Sequence, residues 1–260
     1  MTPKITIITI NFNNFQGLKT TFESVKNQTF QDFEYIVIDG GSSDGSLKLL
    51  KEHTNYIDYW VSEPDKGVYH AMNKGILKAT GEYLLFLNSG DHFYSNVALQ
   101  ESLDHLTEED IIYFNLQVTE EDKSFIKSYP KILSFSYFVE DTLPHPATFI
   151  KRVAFLKTNI YKEDFKILSD WKFFIDAICK YNLTYKKIDK PLSTFYIGGM
   201  SSNPANRALK HSERSQVLEQ EYAAFMKDMS DTLLYKHIIE NFRKSRIIKI
   251  LVKFGFLNKF

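Results

Sequence analysis

Apolar and polar positions alternate in blocks through the first 95 residues. Residues 4–10, KITIITI, are β-branched and nearly continuous, the pattern of a strand buried on both faces. A polar loop, NFNNFQG, follows, and LKTTFESVKNQT then sets Leu18, Thr21, Phe22 and Val25 at helical spacing. FEYIVID (33–39) is a second buried strand, broken by GGSSDGS. SLKLLKEH reads as a helix with Ser46 as N-cap, and YIDYWVSE as a third strand. GVYHAMNKGILKAT is a helix stopped by Gly81, and EYLLFLN is the next strand. This alternation predicts an α/β fold around a largely parallel sheet flanked by helices, in which ligands bind beyond the carboxyl ends of the strands. The clusters NFNN, DGGSSDG, SEPDKG and NSGD each follow a strand. One such loop can be polar for solubility alone, whereas four on one rim predict a nucleotide-sized site.

The second half is less regular. ESLDHL is helical in pattern, DIIYFNLQVT and KSFIKSYP resemble strands, and LPHPATFI leads into a short strand. SDWKFFIDAICKYNL is an amphipathic helix, and TYKKIDKPLSTFYIGGMSS is a strand running into a glycine-rich loop, either a mobile lid or a plain turn. No internal repeat or low-complexity linker interrupts this order. The expected organisation is one domain over 1–204, with a nucleotide-binding half to about residue 95 and an acceptor half over 96–204, followed by a helical extension over 205–260.

Composition narrows the class. Hydrophobic content of 43% and charged content of 25% fit a globular protein, and 32 Lys and Arg balance 32 Asp and Glu. The chain as a whole is therefore no general polyanion binder, and no nucleic-acid partner is expected. A single cysteine, Cys179, excludes an intramolecular disulfide framework and a multi-cysteine zinc site. The N-terminus lacks a basic region followed by a small-residue cleavage site, and no apolar run reaches 18 residues. The expected location is cytoplasmic. The last 18 residues, RKSRIIKILVKFGFLNKF, carry six Lys or Arg and no acid. Ile247, Ile250, Leu251 and Phe254 share one helical face, with Arg246, Lys249 and Lys253 on another. Residues 243–260 therefore suit either an anionic membrane surface, on its cytoplasmic side, or packing on the domain or a partner.

The stretches ITIITINFNN, SVKNQTFQDFEYIVIDGGSSDGS, SEPDKGVYHAMNKGILKATGEYLLFLNSGD, LPHPATFI and ILSDWKFF resemble, in the same order, the family 2 glycosyltransferases of bacterial polysaccharide and glycolipid biosynthesis. The resemblance runs over roughly residues 4–175 and is most specific in the first 92. It implies the GT-A fold and inverting transfer of a sugar from a nucleotide diphosphate donor, with a UDP-sugar favoured, to a hydroxyl of a glycan or lipid-linked acceptor. Two other readings compete. A non-catalytic nucleotide-sugar-binding protein would keep the fold, and a sugar nucleotidyltransferase would need a glycine-rich basic loop where NFNNFQG has no Lys or Arg. A redox dinucleotide enzyme lacks its G-x-G-x-x-G after the first strand.

Each role maps to a position in this sequence. Departure of a nucleoside diphosphate builds negative charge, which a divalent cation (Mg²⁺ or Mn²⁺) neutralises while needing only one or two protein carboxylates. The family's metal motif usually holds two or three acids; NSGD keeps only Asp91, with Asn88, Ser89 and Gly90 before it. By resemblance, Asp91 is the metal ligand, Asp39 contacts the donor base, and Thr9 and Asn11 line the same pocket. Asp44 is read as a helix cap ahead of a ligand contact. Asp65 and Lys66 precede a helix N-terminus facing the donor, or are solvated loop charges. Position 72 itself is Met, where some relatives carry a basic residue for the diphosphate. The resemblance implies Asp170, in ILSDWKFF, as the base that takes the acceptor hydroxyl's proton, with Glu163 and Asp164 as rivals. Trp171 could stack on the acceptor sugar, and His145 could contact acceptor or diphosphate or be a packed structural histidine.

Overall fold

The sheet grows from the most apolar segments of the chain. β1 (Ile5–Asn11) is buried along its whole length. It is followed by α1 (Phe15–Lys26), β2 (Glu34–Asp39), α2 (Ser46–Glu52), β3 (Tyr59–Ser62), α3 (Val68–Lys78) and β4 (Tyr83–Phe86). β1 pairs in parallel with β2 on one side and β4 on the other, and β2 with β3. Each helix crossover returns the chain to the same end of the sheet, so all four strands finish on one rim. The apolar run of β1 is continuous because both faces are covered, as parallel sheets require.

The computed structural model describes residues 2–121 and 123–258. After β4 come β5 (His92–Phe93), α4 (Ala98–Ser102), β6 (Ile111–Glu120), β7 (Lys123–Lys127), α5 (Phe135–Glu140), β8 (Thr148–Lys151), α6 (Arg152–Thr158), α7 (Ser169–Cys179) and β9 (Tyr185–Tyr196). Among the described residues the sheet runs β3-β2-β1-β4-β8-β6-β9-β5, with β7 paired to β6. β8 is antiparallel to β4 and β6, and β9 is parallel to β6. The parallel nucleus is thus completed by a mixed second half, and helices flank the whole.

Local chemistry differs from the sequence reading at two helix ends. Gly45, in a left-handed conformation (φ 102°), is the N-cap of α2, and the Asp44 carboxylate accepts the Ser46 backbone N–H at 3.1 Å. Asp44 therefore caps the helix of which Ser46 is the first residue. α3 ends with Ala79 as C-cap; Gly81 instead permits close packing on β1, where a Cβ would lie 2.7 Å from the Thr6 nitrogen. Cys179 is half-buried, and burial, with Asp176 adding to it, pushes its thiol up to about 11. It stays protonated at neutral pH, the inert thiol the sequence suggests.

The chain divides into two compact units, Met1–Glu213 and Arg214–Phe260. α8 (Arg207–Glu221) is followed by α9 (Ala223–Lys244) and α10 (Arg246–Lys253). The Ser245 hydroxyl faces the Ile248 N–H at the start of α10. Ile247, Ile250 and Phe254 are exposed. The last two residues of the basic tail, 259–260, lie outside the described residues. No helix among the described residues is long and apolar enough to cross a membrane.

Candidate functional site

Parallel registry places Asn11 beside Asp39 and Asp39 beside Ser62 at the carboxyl ends of β1, β2 and β3. Their side chains form a chain of hydrogen bonds along the rim. Ser89 Oγ donates to Asn11 Oδ1 at 2.8 Å, and Asn11 Nδ2 donates to Asp39 Oδ1 at 2.7 Å. Ser62 Oγ donates to Asp39 Oδ2 at 2.6 Å, while Ser42 supplies its hydroxyl (2.6 Å) and its backbone N–H (2.9 Å). Burial alone would raise the Asp39 carboxyl, but these hydrogen bonds outweigh it and hold it below its ordinary value. With four donors on two oxygens, Asp39 fixes the loop after β2 and offers no exposed surface.

The NSGD turn after β4 is held from below by α1. The Thr21 hydroxyl accepts the Gly90 N–H at 3.0 Å and donates to Asp91 O at 2.7 Å. Gly90 has φ 107°, a conformation that favours glycine. Its role is to turn the chain so that Asp91 follows Asn88 closely, with the Asp91 N–H on Asn88 O at 2.9 Å. The Asp91 carboxylate is buried and accepts no described side-chain donor. Burial pushes it up to about 7, against a small opposing backbone contribution at Asn88. Asn88 Oδ1 is buried without a hydrogen-bond partner. A costly carboxylate and an orphaned amide oxygen beside it make a hard oxygen donor set, which suits Mg²⁺ or Mn²⁺. No cluster of three or more His, Cys, Asp or Glu forms a protein-only cage among the described residues, so the remaining positions of an ion here would fall to phosphate and water.

Asp170 enters the same cavity, of about 490 Å³, from the first turn of α7. Asn88, Ser89, Gly90, Asp91, His145 and Asp170 all line it. Tyr69, on α3, shares its hydroxyl proton between Asp170 Oδ1 (2.7 Å) and Ile167 O (2.5 Å). Burial and then the Asp170 charge push the Tyr69 phenol well above its ordinary value, so it stays a donor that orients the carboxylate. His145 stacks on Phe86 with ring centroids 4.7 Å apart and places Nε2 2.8 Å from the Tyr161 oxygen. Burial holds it below the usual histidine range, against the opposing Asp170 charge, so it is neutral at pH 7. The GGMSS loop closes one side, with Gly198, Gly199 and Met200 lining the cavity.

Four sequence candidates lie elsewhere. Thr9 is fully buried, donates to Leu87 O at 2.7 Å and accepts from Tyr35, so it belongs to the core. Trp171 is also fully buried and donates Nε1 to Phe138 O at 2.7 Å, which leaves no ring face for an acceptor sugar. Asp65 Oδ1 meets Lys74 Nζ at 2.6 Å and His70 Nδ1 at 3.0 Å, while its Oδ2 is buried without a hydrogen-bond partner. Lys66 is exposed on the loop beside it. A Cβ on Gly40 would lie 3.4 Å from Asp65 Oδ2 and 3.1 Å from the Phe12 ring, and Phe12 is 66% exposed. Phe12, Gly40 and Asp65 thus converge at a second point on the rim. Phe12, Thr21, Tyr69, Lys166 and Glu213 are absent from the sequence candidates. Only Phe12 carried a signal, as an aromatic residue in a loop that otherwise had no reason for one.

Residues 6–168 match the family model described as Glycosyl transferase family 2. An uncharacterised glycosyltransferase of Mycobacterium tuberculosis (strain CDC 1551 / Oshkosh) is 33% identical over 180 residues, covering 67% of this chain and 69% of the relative. A PGL/p-HBAD biosynthesis glycosyltransferase of Mycobacterium bovis (strain BCG / Pasteur 1173P2) is 27% identical over 207 residues, covering 77% of this chain and 80% of the relative. The crystal structure of S. aureus TarS 1-349 in complex with UDP superposes with a TM-score of 0.63 at 17% identity, covering 75% of this chain but only 61% of that one. This likeness establishes a shared fold.

Proposed function

The chain belongs to glycosyl transferase family 2, and from that premise we propose that it moves a sugar from a nucleoside diphosphate donor to an acceptor hydroxyl with inversion at the anomeric carbon. The observation that carries this reading is the single cavity at the strand ends that holds both the Asn88–Asp91 corner and Asp170. The two carboxylates have different environments and suit different tasks. Asp91 and Asn88 Oδ1 would hold a divalent cation, which when bound supplies charge neutralisation for the diphosphate. Asp170, fixed by the Tyr69 hydroxyl, takes the proton of the acceptor hydroxyl as that oxygen bonds to the sugar's C1. The bond from C1 to the diphosphate oxygen breaks, and its electron pair leaves on that oxygen. One base and no covalent nucleophile suffice for this in-line displacement. At the other end of the rim the exposed Phe12 face suits stacking with a base, and the free Asp65 Oδ2 suits a donor hydrogen bond from base or ribose. Asp39 serves indirectly, by holding the loop that shapes that corner.

The assay is release of nucleoside diphosphate from a panel of UDP- and GDP-sugars, with and without Mg²⁺ or Mn²⁺. One donor should be turned over, with release falling at least tenfold when a chelator is added. A panel with no turnover in any combination would overturn the reading.

We further infer that residues 243–260 attach the protein to an anionic membrane surface, where a lipid-linked acceptor would lie. The exposed Ile247, Ile250 and Phe254 beside Arg246, Lys249 and Lys253 support this over packing against protein. In flotation assays the full chain should rise with vesicles rich in phosphatidylglycerol, but not with phosphatidylcholine alone. Deleting 243–260 should abolish flotation, and unchanged flotation would reject the attachment.

A further inference from the structure

The cavity's own charge is unbalanced. Asp91 and Asp170 line it, a nucleoside diphosphate would bring further negative charge, and His145 is neutral. Among the described residues lining the cavity, Lys166 is the one lysine or arginine, and no described carboxylate pairs with its ammonium. An exposed lysine is usually only a solvated side chain, but the backbone here is unusual. Glu213, a buried residue of α8, accepts three consecutive backbone N–H groups: Lys166 to Oε1 at 2.6 Å, and Ile167 and Leu168 to Oε2 at 3.1 and 2.9 Å. From the other side Tyr69 donates to Ile167 O at 2.5 Å. The segment that leads into α7 is therefore clamped between α3 and α8, and the Lys166 backbone is held at the cavity edge four residues before Asp170.

We infer that Lys166 supplies the cation that binds the phosphate oxygens of the departing nucleoside diphosphate, and that Glu213 is the positioning residue that holds it there. The inference rests on the glycosyl-transfer reading and adds, beside the divalent cation of the Asn88–Asp91 corner, a protein cation from outside the sequence motifs. No proton moves to or from Lys166. Its charge offsets the electron pair that remains on the diphosphate oxygen when the bond to C1 breaks.

The test compares UDP with uridine, and GDP with guanosine, by calorimetry on the full chain in the presence of Mg²⁺. Lys166→Met should weaken the preferred diphosphate about 10–100-fold, as loss of a charge-assisted hydrogen bond implies. Its affinity for the matching nucleoside should stay unchanged. Lys166→Arg should remain within a few-fold of the parent. Glu213→Gln should reproduce part of the loss in the diphosphate-to-nucleoside ratio, a readout that mere destabilisation would not move. Equal diphosphate affinity in Lys166→Met and the parent would overturn the inference. A parent chain that binds neither UDP nor GDP would overturn the transfer reading itself.

Discussion

Asp170→Asn is expected to lower kcat for sugar transfer by about 10²–10⁴-fold, the contribution of a positioned general base, while diphosphate affinity stays within about twofold. Asparagine has almost the same shape and can still accept the Tyr69 hydroxyl through its amide oxygen. It cannot take a proton. The fold should tolerate the change: Asp170 sits in the first turn of α7, where the negative charge contributes only about 0.3–1 kcal/mol to the helix. The rival acids are separable by the same experiment. Glu163 is exposed and accepts Asn73 Nδ2 at 3.0 Å, and Asp164 is exposed; neither lines the cavity. Asp164→Asn should therefore keep the parent kcat. If Asp170→Asn retains more than a tenth of the parent kcat, the base lies elsewhere.

The parts of this site that could be read from the sequence are those set by local pattern. β1, β2 and β4 announce themselves because strands covered on both faces leave continuous apolar runs. The polar clusters at their ends follow from parallel topology, and Asp91 and Asp170 came from motifs matched over short spans. What remained hidden depends on which way a side chain points and what it meets. Thr9 and Asn11 are two residues apart, yet Thr9 is spent on the core while Asn11 joins the rim network. Trp171 follows Asp170 directly, but a helix turns about 100° per residue, so its ring points into the domain. The partners that orient the site are remote. Tyr69 is 101 residues from Asp170, Thr21 is 69 from Gly90, and Glu213 is 46 from Ile167. A single sequence carries no period that links such pairs.

Asp91→Asn should cut kcat/KM by about 10²–10³-fold and, at alkaline pH, make the protein more stable. The two effects have one cause. The Asp91 carboxyl is raised from 3.8 to about 7 because it is buried. Below about pH 4 both folded and unfolded chains carry the proton, and Asp91 costs nothing. Between about pH 4 and 7 only the unfolded chain ionises, so stability falls as pH rises. Above pH 7 both states are ionised and the full cost stands, at most about 4 kcal/mol for such a displacement. Asparagine cannot ionise, so Asp91→Asn should melt several degrees above the parent at pH 8 and within a degree of it at pH 4. A divalent cation at this corner would offset the same charge. Mg²⁺ or Mn²⁺ should therefore raise the parent's Tm at pH 8, and its uptake at pH 6 should release protons to buffer; the Asn variant should show neither response. Melting curves at pH 4 and 8, with and without metal, decide the point. An equal Tm difference at both pH values would mean that Asp91 carries no buried charge. A metal-induced gain that survives in Asp91→Asn would move the cation away from this turn.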